Sequence, residues 1–213
     1  MNISADRKIV FVAGVHGNEK MPVKALTEAG VDFILGNPKA FDLNVRFTEE
    51  DLNASFGTLS ASYESKRAAE VLQKIHEDDL VVDLHTTEAE PVSFVIIVDE
   101  NMIPLAERTG IERVVIMKHN IKQGHALINH RDGISIETGT HEDQRSYRAT
   151  LDVVNKMHKN TKHPVVLYEV YDRITEPGEY TNFQQHPMGF IPILANESAY
   201  ELQGLFGLKA RRL

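Results

Sequence analysis

Two histidines and two glutamates in this chain stand where metal-assisted hydrolysis needs them. His16 and Glu19 lie three residues apart in Val15-His16-Gly17-Asn18-Glu19, directly after the apolar run of residues 8–14, and Gly14 and Gly17 permit a tight turn there. A histidine and a carboxylate so spaced can hold one cation together. Two histidines, one glutamate and a water form an established catalytic zinc set, because the fourth position keeps a reactive water. His85 follows the apolar run of residues 80–84, in Asp83-Leu84-His85-Thr86-Thr87, and Glu137 ends the run of residues 133–137. Taken alone, the His-x-x-Glu pair fits better a surface histidine beside a glutamate that opens a helix and favours its dipole. Three strand ends that each deliver such a side chain shift the balance. Open α/β sheets build their sites at the carboxyl ends of strands, and His and Glu are rarely buried unless paired.

The elements that must position these groups are legible as patterns. Residues 8–14, 80–84, 93–98, 113–117 and 133–137 are Val/Ile-rich and nearly uninterrupted, as strands buried on both faces are. Between them, residues 19–29, 64–76 and 144–159 repeat apolar positions with helical period, for example Ala68, Val71, Leu72 and Ile75. This alternation predicts an α/β fold with a mixed, mostly parallel sheet flanked by helices. After about residue 160 the pattern changes. Residues 164–174 and 190–194 are β-rich and are interrupted by the turn formers Glu176-Pro177-Gly178 and Asn182. The expected organisation is an α/β domain over residues 1–160 and a short β-rich module, residues 161–213, packed on it.

Composition narrows the function classes. A chain of 213 residues with 42% apolar content can bury a sizeable core. The net charge of -8 argues against a nucleic-acid partner, which would need a clustered basic face. The basic run Lys209, Arg211, Arg212 is short and reads as a solvated tail. Without cysteine there is no disulfide, thiolate ligand or cysteine nucleophile, so any metal must sit on His, Asp or Glu. Residues 1–8 lack the apolar stretch of a signal peptide, and no run approaches the roughly 18 residues that span a bilayer. The expectation is a cytoplasmic protein with no membrane partner; a homo-oligomer is compatible with the sequence.

Five motifs, His16-Gly17-Asn18-Glu19, Asp51-Leu52-Asn53, Asp83 to Thr87, Ile136-Glu137-Thr138-Gly139 and Asn196-Glu197-Ser198-Ala199-Tyr200, occur in an order that resembles the succinylglutamate desuccinylase/aspartoacylase family, of zinc carboxypeptidase-like fold. The resemblance implies one Zn2+ per chain on His16, Glu19 and His85, with Glu137 as general base and acid. It also implies Arg46 as the polarising arginine and Asn53 and Tyr200 as substrate contacts. The implied activity is zinc-dependent hydrolysis of the amide bond in an N-acyl amino acid or related N-acyl amine, a small-molecule partner. The rival readings are a zinc carboxypeptidase or esterase on the same fold, and a non-catalytic metal-binding module. Ala54 stands where the family has an arginine. Arg131 is the substrate-binding candidate near a second missing family arginine, and Arg145 and Arg148 are further replacements. The terminal module is shorter than in family members with a long C-terminal domain. Asp83 shares a strand face with His85 and is a candidate to orient its ring. His119, His125, His130 and His141 read as solvent-exposed loop histidines.

Overall fold

The apolar runs form strands of one nine-stranded sheet in a computed structural model that describes residues 7–90, 92–117, 123–202 and 204–213. His119 lies outside the described residues. In chain order the strands are β1 (Ile9–Ala13), β2 (Phe33–Leu35), β3 (Leu80–Thr87), β4 (Phe94–Ile97), β5 (Arg113–Met117), β6 (Gly133–Thr140), β7 (Val166–Ile174), β8 (Ile191–Ile193) and β9 (Gly207–Arg212). Across the sheet they run β2-β1-β3-β6-β4-β5-β7-β9-β8. The β1, β2, β3 and β6 neighbours pair in parallel, as do β4–β5 and β5–β7. The β4–β6, β7–β9 and β8–β9 pairs are antiparallel. The sheet is therefore mixed and mostly parallel, as the sequence implies. The C-terminal segment contributes β7, β9 and β8 to this same sheet.

Among the described residues six α-helices accompany it: α1 (Lys20–Glu28), α2 (Pro38–Leu43), α3 (Tyr63–Gln73), α4 (Ile103–Ala106), α5 (Gln144–Lys159) and α6 (Ser198–Glu201). α5 opens where the Asp143 side chain accepts from Arg145 N and closes at Asn160, which takes the left-handed conformation that satisfies the last carbonyls. Its apolar stripe, Val153, Val154 and Met157, packs with Leu26 of α1 against Val82, Leu84, Ile134 and Ile136. Burying each such side chain contributes about 1.5–3 kcal/mol. On the other face, α3 lays Ala68 and Val71 over Val10, Val12 and Val81. Among the described residues, no helix is long and apolar enough to cross a membrane.

The topology has one consequence for function. Since β1, β3 and β6 are adjacent and parallel, their carboxyl ends emerge at one edge of the sheet, and His16, His85 and Glu137 emerge with them.

Candidate metal-dependent active site

The turn after β1 is built to press against α2. A Cβ at Gly17 would lie 2.1 Å from the Ala40 carbonyl carbon, so only glycine fits. Gly17 N also donates to Arg46 O at 3.1 Å, which joins this turn to the loop carrying Arg46 and Asn53. Glu19 occupies the N-cap of α1, yet its carboxylate makes no cap hydrogen bond. It turns instead to the histidines, with Oε1 2.7 Å from His16 Nδ1 and Oε2 3.1 Å from His85 Nδ1.

Both imidazoles are oriented alike. Each presents Nδ1 to Glu19 and Nε2 to another carboxylate, His16 to Asp51 Oδ1 at 3.0 Å and His85 to Asp83 Oδ2 at 2.9 Å. A proton held on Nε2 by the carboxylate leaves the Nδ1 lone pair for a cation. The donor atoms of His16, Glu19 and His85 all lie within 4.8 Å of one another, and all three residues are buried. Glu19 Oε2 is a buried oxygen outside hydrogen-bond geometry with any donor. Two neutral nitrogens, one carboxylate and an unsatisfied oxygen fit a divalent cation with room for a further ligand. Burial opposes charge on His85, but Asp83 and Glu19 raise its imidazole well above the ordinary range.

Glu137 faces His85 in the β3–β6 register. Its Oε2 is buried with no hydrogen-bond donor in reach. Burial pushes its carboxyl up to about 8, with Glu19 and Glu197 adding to the shift and His85 and Arg46 opposing it. Arg46, Asn53 and Tyr200 line the same small cavity, about 40 Å³, as His16, Glu19, His85 and Glu137. Arg46 Nη2 reaches Asp51 Oδ2 at 3.4 Å, so Asp51 touches both the guanidinium and the His16 ring.

The sequence profile of the succinylglutamate desuccinylase/aspartoacylase catalytic domain matches residues 5–161. The chain belongs to this family. It is similar to a probable aspartoacylase from Prochlorococcus marinus, 34% identical over 101 residues that cover 39% of this chain and 34% of that protein. It also resembles an N-acyl-aromatic-L-amino acid amidohydrolase (carboxylate-forming) from Xenopus tropicalis, 35% identical over 107 residues, 38% of this chain and 34% of that one. The matched stretch thus spans about a third of these curated relatives. Murine aminoacylase 3 shares the fold, with a TM-score of 0.75 at 18% identity over 97% of this chain and 95% of that chain.

Against this family's pattern, the substrate arginines are where the sequence reading needs correction. Arg131 is not brought to the cavity. Its Nε, Nη2 and Nη1 donate to Ile75 O at 3.2 Å, Leu72 O at 3.0 Å and His130 O at 2.7 Å, so it satisfies carbonyls beyond the end of α3. The reason is strand length. Arg131 precedes β6 while Glu137 lies toward its far end, and six residues of strand separate them by roughly 20 Å. Arg145 pairs with Asp143 at the exposed start of α5, and Arg148 is exposed on the same helix. Among the described residues, Arg46 is the one arginine or lysine lining the 40 Å³ cavity.

Other residues contribute that the sequence reading did not single out. Glu197 accepts from Glu88 N at 3.1 Å and Ala89 N at 3.5 Å, while Ser198 N and Oγ donate to Glu88 at 2.7 and 2.8 Å. This reciprocal clasp ties the chain after β3 to α6, which carries Tyr200. Burial pushes Glu197 up to about 7 against those amide donors. Glu64, fully buried, accepts from Thr48 N and Oγ1, both at 2.7 Å, Asn37 Nδ2 at 3.2 Å, Glu49 N at 3.2 Å and Glu50 N at 3.4 Å. It thereby shapes the loop between Arg46 and Asp51. His125, His130 and His141 are half-buried rather than solvent-exposed; His141 Nδ1 lies 2.7 Å from Thr86 Oγ1.

Proposed function

We propose that this chain is a zinc-dependent deacylase that hydrolyses the amide bond of an N-acyl amino acid or a related N-acyl amine. The observation that carries the reading is the buried donor set of His16, Glu19 and His85 facing Glu137 across registered strands. The names of the relatives support it. Zinc held by these three residues would supply Lewis acidity at the scissile carbonyl and a lowered pKa for water.

The chain's own groups account for the rest. Glu137, whose Oε2 is buried with no hydrogen-bond donor, takes the proton of the attacking water and passes it to the leaving amine nitrogen. The Arg46 guanidinium stays charged, because Asp51 and Glu19 outweigh the burial that opposes it, and faces the oxygen on which negative charge develops. Asn53 and Tyr200 hold the substrate against Glu137. Asp51 and Asp83 keep the two rings in the ligating tautomer.

The test joins metal analysis to turnover. The purified protein should carry about one zinc, His85→Ala should lose it, and the loaded protein should hydrolyse members of a panel of N-acyl amino acids and N-acyl amines. A zinc-loaded protein that cleaves only peptides or esters would sink the reading.

A further inference from the structure

A second cavity, about 60 Å³, adjoins the site and shares Asn53, Glu137, Leu194 and Tyr200 with it. It runs from Glu137 back along β6 past Ser135, which pairs with Ile96 of β4. Its walls are apolar, chiefly Ile96, Val98, Met117 and Ile128. Three oxygens at its lining, Asn53 Oδ1, Asp83 Oδ1 and Glu137 Oε2, are buried without hydrogen-bond partners. No arginine or lysine among the described residues lines it, and Ala54 offers only a methyl group nearby in sequence.

We propose that this cavity is the subsite for a short, uncharged, unbranched aliphatic group flanking the scissile amide, and that it rejects a carboxylate. The inference rests on the deacylase reading. Size sets the first limit. A cavity of about 150 Å³ admits benzene, so less than half that volume takes a chain of a few carbons and refuses a ring. Charge sets the second. A carboxylate seated here would be a buried anion beside Asp83 and Glu137, with no arginine or lysine among the described lining residues to offset it, an arrangement proteins avoid. Acceptor oxygens at the lining favour a group with an N–H, as the substrate amide has. Arg131 lines a neighbouring groove that shares Val98, Ile128 and Asn129 with this cavity, but its guanidinium donates to the Leu72, Ile75 and His130 carbonyls, so it is not turned to the cavity.

The test uses two series on the zinc-loaded protein. One keeps the amine and varies the acyl group from acetyl to hexanoyl and benzoyl. The other keeps acetyl and varies the amine from ethyl to hexyl and benzyl, and includes an N-acetyl amino acid beside its carboxamide. In one series kcat/KM should rise over the first few carbons and fall at least tenfold for the ring. Val98→Ala and Ile128→Ala should each move that optimum one or two carbons longer. Where the amine series carries that profile, the carboxamide should equal or exceed the free acid. A tenfold preference for the ring in both series, or for the free acid where the amine series carries the profile, overturns the proposal. So does a length profile unmoved in both folded variants. If no member is hydrolysed the deacylase reading fails instead; calorimetric binding of the same compounds, with Val98→Ala as control, then decides the subsite by itself.

Discussion

The two faces of β3 and β6 differ completely. On one, Val82, Leu84, Ile134 and Ile136 pack beneath α1 and α5 in one apolar cluster. On the other, Asp83 stands opposite Ser135 and His85 opposite Glu137. Period-two alternation allows this, since neighbours along a strand face opposite ways. The apolar face holds the strands in register, and the polar face can then keep acceptors such as Glu19 Oε2 and Glu137 Oε2 unsatisfied, which by themselves oppose folding. Stability and chemistry are carried by interleaved residues of the same two strands, and substitutions on the two faces should separate them.

The largest effect expected on the polar face is from Glu137→Gln. Turnover should fall about a hundredfold to ten-thousandfold, the usual range for a general base, with zinc retained and thermal stability no lower, because a buried carboxyl without a partner is removed. Steady-state kinetics, metal analysis and a melting curve read all three. Near-wild-type turnover would make Glu137 structural and erase the contrast.

On the apolar face, Leu84→Ala or Ile134→Ala should cost about 2–5 kcal/mol of stability through lost transfer energy and the cavity left behind. In the fraction that remains folded, KM and zinc content should be unchanged. Denaturant titration at constant zinc measures the first, and a matching loss of zinc affinity would show that the faces are coupled.

Smaller, and again on the polar face, Asp83→Ala should weaken zinc binding about tenfold to a hundredfold, as removal of a ligand's hydrogen-bond partner does. Competition against a chelator of known affinity checks it. Unchanged affinity would mean that the His85 ring is held by packing alone.

The smallest effect concerns Glu64, outside both strands. Burial raises its carboxyl, but the Thr48 amide and hydroxyl, with Asn37 and Glu50, bring it below the ordinary 4.5. A depressed carboxylate contributes stability that is fully present above that ordinary value and is lost as pH falls through the depressed one. Glu64→Gln should therefore cost about 1–3 kcal/mol at neutral pH, and wild type and variant should converge in acid. Urea titrations at pH 7 and at the acid limit of folding test this; a pH-independent gap would count against it.

How much of this was legible depended on how far apart in sequence the partners lie. The β1, β3, β5 and β6 runs are continuous and β-branched, so they read as buried strands, whereas β2, with three residues, is too short to show a period. The shared face of Asp83 and His85 was visible at spacing two, whereas Ser135 was not singled out beside Glu137. Arg131 misled because closeness in sequence to Glu137 ignores that a strand carries the chain to its other edge. Glu64 carries no local signal, since a single glutamate reads alike whether solvated or clasped by amides, and the motif around Glu197 did not show that Glu197 would clasp the Glu88 amide.

By itself, then, the sequence determined which strands bear metal-type residues and, through its five motifs, the family to which they belong, because strand patterns and ligand chemistry are local. Tertiary structure alone decided the rest. Asp51 meets His16 across 35 positions, Glu197 meets the Glu88 amide across 109, and the apolar cavity behind Glu137 draws on β4, β5, β6 and the residues near 128 and 194. The last of these depends on β6 lying between β3 and an antiparallel β4. Strand order follows from how helices and loops cover the two faces together, and no single segment contains that information.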